Sequence, residues 1–312
     1  MYAVVDTVMP VFGLLAIGFL AGRLGYVSDA AAKGLPEFVF RIAMPVMLMR
    51  TIGSARPPSI PVSDILVAFF AAVAAVWILA TLATRFLLAR PAADASAIGM
   101  GSAFSNSVNM GIPIALAHFG PDAAPIIAVL ILCDTPAMWF AATLQLAASE
   151  KTARTGIPAL IANLVRRLAT NPIILGAVAG FVVQITGFTF PPLLDRMISM
   201  LAMAAVPGAL VAMGLALNSY GLKGQISAVV LVSTLKLLVM PLVAWLAAVH
   251  VLAMPPLAAG VVVLLAAMPV GANAYLFASA YDRAPAVVSG AIALSTPVSL
   301  ATLIALLLML PH

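Results

Sequence analysis

Two short stretches concentrate groups that could bind an anion. Residues 104–113 read FSNSVNMGIP, which sets Asn106, Asn109, Gly111 and Pro113 within less than three helical turns. MPVGAN, at residues 268–273, sets Pro269, Gly271 and Asn273 close together in the same way. Both clusters interrupt long apolar runs. A primary amide offers donors and acceptors without charge, so asparagines can grip a carboxylate. Proline removes a backbone donor and clashes with the preceding turn. Pro113 therefore frees the carbonyl of Asn109, and Pro269 that of Leu265. Glycine lets the chain leave helical geometry at little cost. A helix restarted after such a break presents free N–H groups and about half a positive charge at its amino end. That end is a site for an anion. The predicted substrate-binding set is Asn106, Asn109, Gly111, Pro113, Pro269, Gly271 and Asn273.

Three charges also fall inside apolar runs: Arg41 in FVFRIAMP, Asp134 in LCDTPAMW and Lys236 in TLKLLVMP. A charge at membrane depth costs a few kcal/mol and normally pairs or lines a pathway. Asp134 is the clear mid-span carboxylate. It can carry a proton that couples transport, form a structural ion pair with Lys236 or Arg41, or touch the substrate. Lys236 is a candidate counter-charge. Arg41 is near enough to its span's end to snorkel. The three histidines are too scattered for a metal site, and His118 and His250 fall at predicted outer ends of spans. Neither metal nor cofactor is expected. GxSxG, HExxH, Walker and dinucleotide fingerprints are absent, so neither an enzyme nor an ATP-driven pump is expected.

The elements that must position these residues are membrane spans. The chain is 64% hydrophobic and 8% charged, against about 25% charged in soluble domains. Too little polar surface exists to cover a water-soluble globule, and a polytopic membrane protein is the class that fits. Charges, prolines and glycines mark off ten runs, near 3–24, 34–52, 62–88, 95–119, 122–148, 171–190, 192–217, 224–252, 256–280 and 284–310. The first is read as a retained helix, because it lacks a basic leader. Between the fifth and sixth runs, Ile157–Leu168 reads as an amphipathic surface helix with Asn163, Arg166 and Arg167 off its apolar face, or as a plain linker. Single Cys133 permits no intramolecular disulfide.

With ten spans, Arg23, Lys33, Arg85, Arg90, Lys151, Arg154, Arg166, Arg167, Lys223 and Arg283 fall on one side, and Arg50, Arg56 and Arg196 on the other. The richer side is cytoplasmic by the positive-inside rule, and both termini face outward. The same rule accounts for the net charge of +5 without invoking nucleic acid.

The chain also repeats itself. Pro10, Gly18, Phe19 and Gly25 recur as Pro172, Gly180, Phe181 and Gly187, and Pro45 as Pro207, at an offset of 162. Each half holds five spans, an odd number, so the second half crosses in the opposite direction. That is the inverted-repeat architecture of many secondary transporters. The expected organisation is a first repeat at 1–148, a cytoplasmic linker at 149–170 and a second repeat at 171–312. Gly18 with Gly22, and Gly176 with Gly180, form GxxxG patterns suited to close helix packing. The breaks in spans four and nine correspond in position, but not residue by residue at 162.

NSVNMGIPIAL from Asn106, NPIILG at Asn171–Gly176, AMPVGANAYLFASAY at Ala267–Tyr281 and SGAIALSTPVSL at Ser289–Leu300 resemble motifs of the auxin efflux carrier family. That family includes plant carriers and bacterial transporters of malonate and malate. The resemblance runs through the whole chain. It implies an all-helical membrane protein of ten spans in two inverted five-helix repeats, with a scaffold domain and a transport domain. In the latter, two proline-broken helices cross and an organic anion binds beside the crossing. By position, the motif residues fall on Asn106, Pro113, Pro269 and Asn273. The plant carriers' long cytoplasmic loop has no counterpart, so phosphorylation control of that kind is not expected. Sodium-coupled bile-acid-type symporters share a related fold, but need acidic cation sites near the crossing that neither cluster contains.

The expected function is secondary transport of a small organic anion, a mono- or dicarboxylate such as malonate, proton-coupled or uniport. The expected setting is a bacterial inner membrane, with a homodimer possible. A sodium-coupled symporter and a non-transporting membrane sensor are the alternatives.

Overall fold

The computed structural model describes residues 2–54, 60–150, 169–170, 172–219 and 225–309. The predicted surface helix at 157–168 lies outside them, as does most of the linker. Among the described residues every regular element is helical. The chain opens with α1 (Tyr2–Arg23), α2 (Asp29–Phe38), α3 (Met44–Ser54) and α4 (Val62–Phe86). Then come α5 (Asp94–Ala103), α6 (Ile112–Phe119) and α7 (Ala124–Glu150). The second half contributes α8 (Pro172–Thr186), α9 (Pro192–Leu217), α10 (Ile226–Thr234), α11 (Met240–Trp245), α12 (Pro256–Ala266), α13 (Ala272–Ala280) and α14 (Pro285–Met309). Among the described residues five segments are long and apolar enough to cross a membrane: Val62–Phe86, Pro121–Leu146, Pro192–Leu217, Ile226–Val251 and Pro285–Met309.

Span boundaries mostly follow the charges and prolines, with one clear shift. The second span was expected from residue 34, yet α2 begins at Asp29. Ser28 caps it, its Oγ accepting from the Ala31 N–H at 3.3 Å, as short polar side chains do at helix starts. The runs at 95–119 and 256–280 are not single helices. Each is split in two.

Proline shapes two further helical runs as well as the first of these. The π turns Val39–Ala43, Ser107–Gly111 and Leu235–Val239 end two residues before Pro45, Pro113 and Pro241. A proline clashes with the carbonyl four residues back, here that of Arg41, Asn109 or Leu237. Widening the preceding turn swings that carbonyl aside, and single π turns of this kind gather at functional sites.

Two helix pairs approach backbone to backbone. α1 lies on α9, and α3 on α8. A Cβ on Gly18 would land on the Val211 backbone, and one on Gly176 would sit 2.5 Å from the Pro45 carbonyl oxygen. The Asn218 Nδ2 donates to the Phe19 carbonyl across the first pair at 3.0 Å. Arg50 and Asp195 join the ends of α3 and α9 at 3.5 Å. The turns repeat as well. Left-handed residues Gly25 (φ 74°) and Gly187 (φ 64°) are 162 apart, as are Gly120 (φ 73°) and Asp282 (φ 50°).

Burial is arranged for lipid rather than water. Every residue of α5 is buried, as are Ala258–Ala266 of α12. Ile17, Ile78, Ile185 and Met203, on α1, α4, α8 and α9, are exposed. The broken helices are therefore the centre of the molecule.

Candidate functional site

The two breaks meet. After α5 the chain is extended at Phe104–Asn106, and after α12 at Pro269–Gly271. These segments pair as a single antiparallel bridge between Ser105 and Val270. Asn106 N–H donates to the Pro269 carbonyl at 2.9 Å, and Gly271 N–H to the Phe104 carbonyl at 3.0 Å. Ser295 of α14 supports the crossing, its Oγ accepting from Val270 N–H at 3.2 Å. Each break thus satisfies backbone groups that the other leaves open, which a membrane interior demands. The approach requires glycine: a Cβ on Gly271 would lie 2.5 Å from Phe104 Cδ1 and 2.8 Å from the Ser105 carbonyl oxygen.

Beside the crossing is a cavity of about 580 Å³, within the range of roughly 300–1,000 Å³ usual for small-molecule sites. Asn106 and Asn109 line it from one break, and Ala272 and Asn273 from the other. Arg41 and Phe40 enter from the first π turn, Ile131 and Thr135 from α7, and Pro172 and Ile174 from the start of α8. The amino ends of both restarted helices, at Ser107 and Ala272, therefore begin at the cavity wall. The first N–H groups of a helix lack intrahelical partners, so these ends favour an anion. The buried Ser105 Oγ and Asn109 Oδ1 have no hydrogen-bond partner among the described residues. Buried polar atoms of this kind call for a polar ligand.

A family model described as membrane transport protein matches residues 3–307. The chain belongs to this family, that of the auxin efflux carriers. It is 29% identical over 308 residues to a "Putative malonate transporter" of Rhizobium meliloti strain 1021, covering 98% of this chain and 96% of the relative. It is 26% identical over 300 residues to an "Uncharacterized transporter" of Methanothermobacter thermautotrophicus, covering 96% of this chain and 95% of the relative. The chain is accordingly a multi-pass membrane transport protein, with a small molecule as its substrate.

In this auxin efflux carrier relative, the singled-out residues divide into three groups. Asn106, Asn109, Asn273 and Arg41 share the cavity. Gly111, Pro113, Pro269 and Gly271 shape the crossing without lining the cavity. Asp134 and Lys236 are buried outside the lining. No ion pair within 4 Å joins Asp134 to Lys236 or to Arg41 among the described residues. Arg41 instead meets Glu37 at 3.3 Å, both side chains largely exposed, and Lys236 Nζ donates to the Ala266 carbonyl at 2.6 Å. The carbonyl expected to be freed by Pro269, that of Leu265, accepts from Met268 N–H at 3.4 Å instead. His118 packs edge-on against Phe119, and His250 against Trp245.

Ser105, Thr135, Ser295 and the start of α8 lie within the quoted stretches, but none of them was expected in the site. Thr135 follows Asp134 directly and had a visible signal, as the hydroxyl beside a mid-span charge. Ser295 is one of many small polar residues in its span, and nothing local marks it.

Proposed function

We propose that this chain carries a small organic anion, a mono- or dicarboxylate such as malonate, across a bacterial cytoplasmic membrane by alternating access. The observation that carries the reading is the cavity at the crossing. Three asparagines, two restarted helix ends and one arginine converge there, and a carboxylate could use all of them. Asn106, Asn109 and Asn273 bind the anion. Gly111, Pro113, Pro269 and Gly271 hold the backbone open for it. The relative named for malonate supports the substrate class.

The architecture for such movement is ten spans in two inverted five-helix repeats, residues 1–148 and 171–312, joined by a cytoplasmic linker at 149–170. Three features support it. Paired left-handed turns recur at a separation of 162. Each half's first span packs on the other half's second, α1 on α9 and α8 on α3. Left-handed Ala89 and Ala253, which precede the two broken spans, are 164 apart, and that shifted offset brings Asn109 onto Asn273. With an odd number of spans per half, both termini face outward. Asp134 is a candidate proton carrier, with Lys236 as its counter-charge, though uniport needs neither to titrate.

Uptake of labelled malonate into proteoliposomes tests the reading. Asn106→Ala and Asn273→Ala should each weaken malonate binding by about tenfold or more, the usual worth of a hydrogen bond to a charged group. Unchanged affinity in both variants would move the site elsewhere.

A further inference from the structure

The crossing has carboxyl-terminal helix ends as well as amino-terminal ones. Such an end carries about half a negative charge, and inside a bilayer its carbonyls cannot turn to water. Lys236 meets the end of α12. Its side chain is fully buried. Nζ donates to the carbonyl of Ala266, the last residue of α12, at 2.6 Å, and to Met240 Sδ at 3.1 Å. The π turn that carries Lys236 packs against α5 and α14 as well as α4, so the lysine stands where the two broken spans and the Ser295 support come together. Asp134 is buried as well, 3% exposed, but no ion pair within 4 Å joins it to Lys236 among the described residues, so the amine is left to the helix end. The first half has no equivalent: 162 residues earlier stands Ala74.

We propose that Lys236 is a positioning residue for the anion site, a tethered cation that caps α12 and fixes the break against which Asn106 and Asn273 are set. A bound metal cation is another way to neutralise such a helix end. The protein supplies the charge on a side chain, and carries it with the crossing wherever the crossing moves. The inference rests on the transport reading only for what the site binds.

The test uses the full chain, in detergent and in proteoliposomes, with ethylammonium as the probe. Lys236→Ala should melt lower than wild type. Ethylammonium should raise the melting temperature of that variant by mass action and leave wild type unmoved. Malonate uptake by Lys236→Ala should fall about tenfold or more, the scale of a lost charged hydrogen bond, and recover in part with ethylammonium. Lys236→Gln retains a neutral donor and most of the volume, and should fold but stay impaired. Wild-type uptake should be the same in sodium- and potassium-free buffer as with either ion.

Wild-type uptake by Lys236→Gln, no effect of ethylammonium on Lys236→Ala, or a sodium or potassium requirement in wild type would each overturn the proposal. If Lys236→Ala cannot be purified, the glutamine variant and the wild-type ion series decide. If wild type takes up no carboxylate, the transport reading fails, while the melting series still decides the role of the lysine.

Discussion

Asn106 spends its side chain on a weak partner. Nδ2 lies 3.8 Å from Met213 Sδ, a poor acceptor that a carboxylate oxygen would readily displace. Its backbone is fully engaged, donating to Pro269 and accepting from Met110 and Gly111, so the amide is held in place before a ligand arrives. Such pre-positioning lowers the cost of binding. Arg41 is the opposite case: a half-committed charge at the cavity wall, paired among the described residues with an exposed Glu37, and exposed pairs of that kind are worth little. The guanidinium can turn from Glu37 to a second carboxylate on the ligand. Arg41→Gln should therefore weaken malonate by about tenfold, the worth of a charge-assisted bond, and acetate far less. Competition of both acids against labelled malonate measures this, and equal losses for the two would remove Arg41 from the recognition of the second carboxylate. The type and rough depth of these residues were legible in the sequence. Glu37 stands four residues before Arg41, a spacing readable along one helix, but Met213 and Ala266 become neighbours of Asn106 and Lys236 only through helix packing.

At the scale of elements, the broken spans were legible because proline, glycine and asparagine cannot share a membrane helix without a reason. That the breaks cross was implied by the family resemblance, but their antiparallel backbone pairing was not legible: a two-residue bridge leaves no periodic signal. Three π turns were readable in principle, since each ends two residues before a proline, but a proline alone gives equal warning of an ordinary kink, and a fourth, Leu246–Val251, has no proline so placed. Gly271 tests whether the crossing depends on its close approach. In Gly271→Ala the new Cβ would press on Phe104 and on the Ser105 carbonyl, and backbone cannot yield as a flexible side chain does. The variant should lose about 1–3 kcal/mol of stability, the usual cost of overpacking, and most of its malonate uptake. Gly13→Ala, where a Cβ meets nothing within 4 Å, is the control and should change neither. Thermal melting and uptake measured on the same preparations check both. Wild-type behaviour of Gly271→Ala would mean that the breaks can separate without consequence.

For the whole molecule, the repeat makes a demand that neither half makes alone. Gly25 and Gly187 end their helices in the same left-handed conformation, 162 residues apart, and each is followed by an exposed aromatic, Tyr26 or Phe188. In a direct repeat these turns would lie on one face of the membrane. In an inverted repeat they lie on opposite faces, even though their local structure is the same. On the proposed ten-span topology the basic residues choose which face is which: Arg23 lies beside the first turn, and that side would carry most of the positive charge. The chain has one cysteine, Cys133, so Cys133→Ser provides a clean background for labelling. In that background, Phe188→Cys should react with a membrane-impermeant maleimide added to intact cells. Tyr26→Cys should react only after the membrane is opened. Labelling of both from outside would rule out the inverted repeat, and with it the geometry by which two oppositely oriented halves present one crossing to each side in turn. Reversal of the pattern would keep the repeat and overturn the orientation drawn from the charges.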